Sequence, residues 1–239
     1  MTDVLLLHAG IADSRMWGPQ ISALEVAGHQ VTAPDLPGFG ETPLRPGEVD
    51  YVGHAASFLD RSATVVGCSF GGRIALELAA ARPDLVERLV LVGAGLGSWA
   101  WSDEAKAGFA EEEVALEQGD LAAAAAAQAR MWLAADASPK VRGLTEEMTR
   151  RSYELQLPVE DEVTNVWPNP PAAERLAAIS IPTLVVVGSE DVPDIHEIAH
   201  LLADGIPGAQ RVVIDGSGHL ASLERPEELN RLLLEFLRQ

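Results

Sequence analysis

The sequence predicts an α/β fold: a mostly parallel sheet of about six main strands flanked by helices, with one helical segment inserted into it. Two observations carry this. Short apolar β-type runs alternate with helical patterns along the chain, and the alternation stops only between Ser98 and about Pro168, where helix formers take over. The length of 239 residues suits one α/β domain with a modest insertion and requires no second core.

The elements follow in order. "DVLLLHAG" reads as a buried strand ending at His8, followed by a helix pattern from about Trp17 to Ala27. "HQVTAPD" is the second strand, and a weak short helix spans about Val52 to Asp60. "ATVVG" is the third strand. The helix "GGRIALELAAARP" after it turns Ile74, Ala75 and Leu78 to one side and stops at Pro83. "ERLVLVGAG", "IPTLVVVGSED" and "AQRVVIDGSGH" complete the strand set. The last helix, "RPEELNRLLLEFLRQ", opens with Pro226 in its first turn and lines up Leu229, Leu232, Leu233 and Phe236 on one face.

The division expected is a core of residues 1–97 and 169–239 with an insertion of residues 98–168. Within the insertion, "DLAAAAAAQARMWLAA" is an alanine-rich helix with Asp120 as its cap. There is no internal repeat.

Charge and composition bound the partners. A formal net charge of -19 repels phosphate backbones and anionic lipid, so neither nucleic acid nor a membrane is expected, and the spread of the acids over predicted helices reads as solubility. No apolar run reaches about 18 residues and no leader pattern is present. One cysteine, Cys68, excludes an intrachain disulfide and suits a reducing compartment. The expectation is a soluble, cytoplasmic protein of open oligomeric state.

"VVGCSFGG" sets a thiol beside a hydroxyl. Gly67-Cys68-Ser69-Phe70-Gly71 fits G-x-S-x-G in the context that motif needs, a strand ending at Gly67 and a helix starting just after Ser69. Small residues on both sides let the backbone turn sharply and expose Ser69 near a helix N-terminus. Cys68 then reads as a buried small hydrophobe. The chain order serine, acid, histidine is met by Asp191, after "TLVVVG", and by His219, after the last strand; Glu190 and Asp194 rival Asp191 in the same acidic loop. An oxyanion hole needs two N–H donors. One is expected from Phe70, and the other from the loop "HAGIADSRMW", Gly10 first and Ile11 second.

A metal reading competes. "HEIAH", His196 to His200, matches the zinc motif H-E-x-x-H, with Glu197 as base. The third ligand is the difficulty, since the expected continuation meets Ile206, although Glu224 is at a conceivable spacing. The alternative is a helix packed beside the sheet with its polar face in water, and it is the one favoured. There is no phosphate loop, and "GFGET" lacks the strand, helix and downstream acid of a dinucleotide site, so no cofactor and no metal are expected.

With "LLLHAG" followed by Trp17, "APDLPGFGET", "VVGCSFGGRIALELAAARPDLVERLVLV", "PTLVVVGSED" and "GSGHLASLERPEELNRLLLEFL", the chain resembles the α/β-hydrolase-fold superfamily over most of its length outside the insertion. The resemblance implies that the insertion is a helical cap over the active site and that Asp35 is a structural turn residue. Two departures stand out. Met1 lies almost on the first strand, so about six main strands are expected instead of eight, and the usual His-Gly is His8-Ala9, with Gly10 where the donor sits. The reaction implied is acyl transfer to water on a small carboxylic ester or lactone, with a partly apolar small molecule as substrate. The fold also hosts carbon–carbon bond hydrolases, pyruvate-eliminating synthases, acyltransferases and non-catalytic receptors. Trp17, Phe39, Phe70, Trp99, Trp101 and Trp132 are candidate lining for an apolar pocket. Arg73, directly after "SFGG", reads first as an exposed helix residue and second as a substrate contact.

Overall fold

The computed structural model describes residues 2–239. Its centre is a sheet of six strands, all parallel. These are β1 (Asp3–Leu7), β2 (Gln30–Thr32), β4 (Ala63–Cys68), β5 (Val86–Val92), β7 (Thr183–Gly188) and β8 (Gln210–Ile214), in spatial order β2-β1-β4-β5-β7-β8. The six apolar runs therefore correspond to the six main strands, with β1 starting at Asp3. "HQVTAPD" contributes only three residues as the edge strand β2, because Pro34 has no N–H to extend the ladder.

Side chains alternate across the sheet with period two, as a strand buried on both faces requires. Leu5, Leu7, Val65, Leu89, Leu91, Val185 and Val187 enter one apolar layer. Val4, Leu6, Val66, Cys68, Val90, Val92 and Val186 enter the other. Helices cover both layers. The first contains α2 (Tyr51–Ala56), α3 (Phe70–Ala81) and α7 (Pro193–Gly205), and the second contains α1 (Gly18–Val26), the short α8 (Ala221–Glu224) and α9 (Pro226–Phe236). The helix expected from Trp17 is preceded by a 3-10 turn over Ser14–Trp17, fixed by the Asp13 carboxylate accepting the Arg15 N–H.

Between β5 and β7 lie three helices, α4 (Asp103–Glu117), α5 (Leu121–Trp132) and α6 (Pro139–Gln156). Each begins at a side-chain cap: Ser102 accepts from Ala105 N–H, Asp120 from Ala123 N–H and Ser138 from Val141 N–H. After α6 the chain forms β6 (Val163–Val166), which pairs in parallel with β3 (Gly47–Asp50) as a second, two-stranded sheet. Sequence reading missed this pair, since both segments are short, polar and largely exposed. It ties the chain after α6 to the segment that precedes α2.

The strand order reverses between β1 and β4: the chain steps outward from β1 to β2, then returns to the opposite side of β1. The crevice at the carboxyl ends of these two strands is where open α/β sheets bind ligands. Ser69 follows β4, and Gly10 lies in the loop after β1.

Candidate active site

Ser69 occupies the turn from β4 into α3 at φ 52°, ψ -112°, a region of backbone space that costs a non-glycine residue on the order of 1–3 kcal/mol. The surrounding structure fixes it there. Ser69 N–H donates to Val92 O at 3.0 Å, Ser69 O accepts from Arg73 N–H at 2.9 Å and Gly95 N–H at 3.0 Å, and Gly71 N–H donates to His8 O at 3.0 Å. Only glycine fits beside the turn. A Cβ on Gly67 would lie 2.2 Å from Gly71 O, and one on Gly71 would lie 2.3 Å from Leu7 O. Cys68 points the other way, into the second apolar layer, fully buried. Burial, followed by the negative charges of Asp191 and Glu224, pushes its thiol well above the ordinary range, so it is held as a thiol.

His219, in the loop after β8, and Asp191, in the loop after β7, meet at 2.8 Å between Nδ1 and Oδ2, both side chains shielded from solvent. A carboxylate oxygen accepts, so Nδ1 donates this hydrogen bond and Nε2 is the ring nitrogen not engaged by Asp191. Nε2 is buried without a hydrogen-bond partner among the described residues. The other Asp191 oxygen accepts Val192 N–H at 2.9 Å, which sets the carboxylate plane. His219 N–H donates to Trp132 O at 2.8 Å, and the Trp132 indole lies against the imidazole with ring centroids 4.3 Å apart.

Ser69, His219, Phe70, Gly10 and Ile11 line one cavity of about 280 Å³, together with Arg73 and Trp132. Gly10 and Ile11 form a tight turn closed by Ala12 N–H to Ala9 O at 3.1 Å, and Gly10 lies against the Phe70 side chain. Neither the Phe70 N–H nor those of Gly10 and Ile11 hydrogen-bonds to another described residue. Trp101 and Phe109 supply apolar wall.

Trp17, Glu190, Asp194 and Asp35 lie outside this cavity. Trp17 is fully buried in the second apolar layer and does not line the cavity; its bulk fills the space behind β1. Arg73 is half-buried, against the expectation of an exposed helix residue, because the segment at Trp167 covers that face of α3. Glu190 is exposed and accepts Ala135 N–H. Asp194 anchors the insertion, accepting Ser102 N–H at 2.8 Å, Ser102 Oγ–H at 2.6 Å and Trp99 Nε1–H at 3.1 Å. Asp35 accepts Ser14 N–H and Glu41 N–H, the turn role that the resemblance implies.

Glu197 and His200 are exposed on α7, and Glu224 is engaged elsewhere, so no group of three or more metal-ligating side chains assembles among the described residues. Glu224 is the residue that sequence reading undervalued. Its carboxylate accepts Ala134 N–H at 2.8 Å, Gly218 N–H at 3.1 Å and Leu220 N–H at 3.0 Å, clamping both sides of His219 to the end of α5. Its position five residues after the histidine carries no recognisable motif. Gln128, also in the cavity wall, accepts the Trp132 Nε1–H at 2.7 Å and donates to Glu112.

Comparison with known proteins agrees with this architecture. The chain is 30% identical to a candidate carbamate hydrolase, RutD, of Azorhizobium caulinodans, over 97% of this chain and 90% of that one. It is 26% identical to a 2-hydroxy-6-oxononadienedioate/2-hydroxy-6-oxononatrienedioate hydrolase of Cupriavidus pinatubonensis, over 98% of this chain and 86% of that one. Among solved structures, the malate-bound thermophilic esterase of Thermogutta terrifontis superposes with a TM-score of 0.78 at 26% identity, covering 100% of this chain and 90% of that one. The sequence profile of the α/β hydrolase fold matches residues 3–226, a span that takes in every strand of the sheet and the Ser69, Asp191 and His219 loops. The chain therefore belongs to the α/β hydrolase fold family.

Proposed function

We propose that this protein is a serine hydrolase that cleaves a small carboxylic ester or lactone through an acyl-enzyme on Ser69. The observation that carries the reading is the Ser69 backbone, held at positive φ in the wall of the cavity that His219 also lines, with His219 oriented by Asp191 at 2.8 Å. His219 Nε2 takes the Ser69 proton as Oγ attacks the carbonyl carbon. The developing oxyanion is met by the N–H groups of Phe70 and Gly10. Collapse expels the alcohol, protonated by His219; water, deprotonated by the same nitrogen, then attacks the acyl-enzyme and releases acid and Ser69. Residues 98–168 act as a helical cap that walls the cavity with Trp101, Phe109, Gln128 and Trp132. No step needs a metal or cofactor. A carbamate, the substrate class in the name of one relative, presents the same carbonyl to the same groups.

The test is labelling with a fluorophosphonate probe followed by peptide mapping. Adduct on Ser69 in the wild type and in Cys68→Ala, and none in Ser69→Ala, supports the reading. A folded wild type that stays unlabelled overturns it and favours a ligand-binding role.

A further inference from the structure

We infer that the Arg73 guanidinium is an anion-binding end of the cavity, and that the substrate carries a free carboxylate a few bonds from its scissile carbonyl. The inference rests on the hydrolase reading above and names its substrate class.

The electrostatics of the cavity point to it. Among the described residues no Asp or Glu lines it, and Arg73 is the one fixed charge. Arg73 makes no ion pair among the described residues, and its Nε–H is buried without an acceptor. Glu77, one turn along α3, is the acid whose field reaches it, but the Glu77 carboxylate is turned to Ala172 N–H at 2.9 Å. Trp167 takes one face of the guanidinium, with Cζ 3.6 Å from the ring centroid. That stacking fixes the plane and leaves the in-plane N–H donors unused.

A half-buried cation without a carboxylate is a cost to stability. It becomes intelligible as one half of a pair whose other half arrives with the ligand. The chain as a whole carries a net charge of -19 and repels anions at a distance. An unpaired guanidinium between apolar walls reverses that sign locally, where low polarisability strengthens the attraction.

Geometry sets the reach. Arg73 N–H donates to Ser69 O, and both residues line the same cavity of about 280 Å³. A carboxylate on the guanidinium and a carbonyl at Ser69 Oγ therefore belong to one short molecule, such as a half-ester of a short dicarboxylic acid or a lactone bearing a carboxylate. The planar fork of Arg suits a carboxylate in two-point contact.

Two measurements at neutral pH test this. The first is calorimetric binding of glutarate to Ser69→Ala and to Ser69→Ala with Arg73→Met. The second is kcat/KM for mono-p-nitrophenyl glutarate relative to p-nitrophenyl pentanoate, in wild type, Arg73→Met and Arg73→Lys. Glutarate affinity should fall about 10- to 100-fold without the guanidinium, the energy of charge-assisted hydrogen bonds. The preference for the acidic ester should fall by a similar factor in Arg73→Met and by less in Arg73→Lys. Absence of glutarate binding to Ser69→Ala, or equal binding with and without Arg73, overturns the inference, and turnover of the neutral ester would still leave the hydrolase reading standing. Arg73-dependent glutarate binding with no turnover of either ester supports the anion site and overturns the hydrolase reading.

Discussion

His219 Nδ1 and Asp191 Oδ2 lie 2.8 Å apart in a buried contact between loops that follow neighbouring strands, and this contact fixes which imidazole nitrogen is free. In Asp191→Asn the amide NH2 can face Nδ1 and favour the opposite tautomer, which places a proton on Nε2 where a base is needed. The expected result is a fall in kcat of about 10⁴-fold. Steady-state kinetics on a p-nitrophenyl ester, with circular dichroism to verify the fold, checks it.

Glu224 is a positioning residue for His219. Glu224→Gln keeps one acceptor but turns an NH2 toward N–H donors, so at least one of the Ala134, Gly218 and Leu220 bonds is lost. A destabilisation of about 1–3 kcal/mol follows from leaving a buried donor unmet. Urea unfolding measures that loss, and kcat should fall more than KM changes, because the imidazole loop loosens.

The second oxyanion donor is open to a backbone test. Proline is compatible with the second position of the Ala9–Ala12 turn, which Gly10 occupies. Gly10→Pro removes the N–H and should lower kcat by about 10²–10³-fold. A variant that folds and keeps wild-type kcat would transfer the role to Ile11.

Asp194 gives the insertion an acid-sensitive anchor. Burial alone raises its pKa, but the hydrogen bonds from Ser102 and Trp99 outweigh it, and the carboxyl ends below its ordinary value of 3.8. Between the folded and ordinary values the unfolded chain holds more protons, so stability increases with pH there. The contribution is present above the ordinary carboxylate range and is lost as pH falls through the folded value. Asp194→Asn should flatten this part of the profile, measured as urea midpoints from neutral pH down to well below the ordinary value of 3.8.

The fold and the catalytic residues proposed here were legible for different reasons. The strands could be read because burial on both faces demands unbroken apolar runs, as in "TLVVVG". Ser69 could be read because its turn tolerates only glycine at Gly67 and Gly71, and that steric demand leaves a local motif. Asp191 and Asp194 were harder to separate. Both are buried acids three residues apart, Asp191 in the loop and Asp194 in the first turn of α7, and only the chain of hydrogen bonds reveals that one faces His219 and the other faces Ser102. Arg73 misled because its burial depends on Trp167, which is distant in sequence. Glu224 was opaque because its partners are backbone N–H groups, and backbone leaves no residue preference to read.

The bond from His219 N–H to Trp132 O has a consequence for engineering and for evolution. The imidazole loop is stitched to the last turn of an inserted helix, and Glu224 adds a second stitch at Ala134. Truncating the chain between β5 and β7 would not yield a smaller, more open version of the protein, since the loop bearing the imidazole would lose its scaffold. A transplanted segment, natural or designed, would have to bring a carbonyl oxygen and an N–H to these same two points, so exchange of the segment is constrained by two atoms of main chain more than by the composition of its helices.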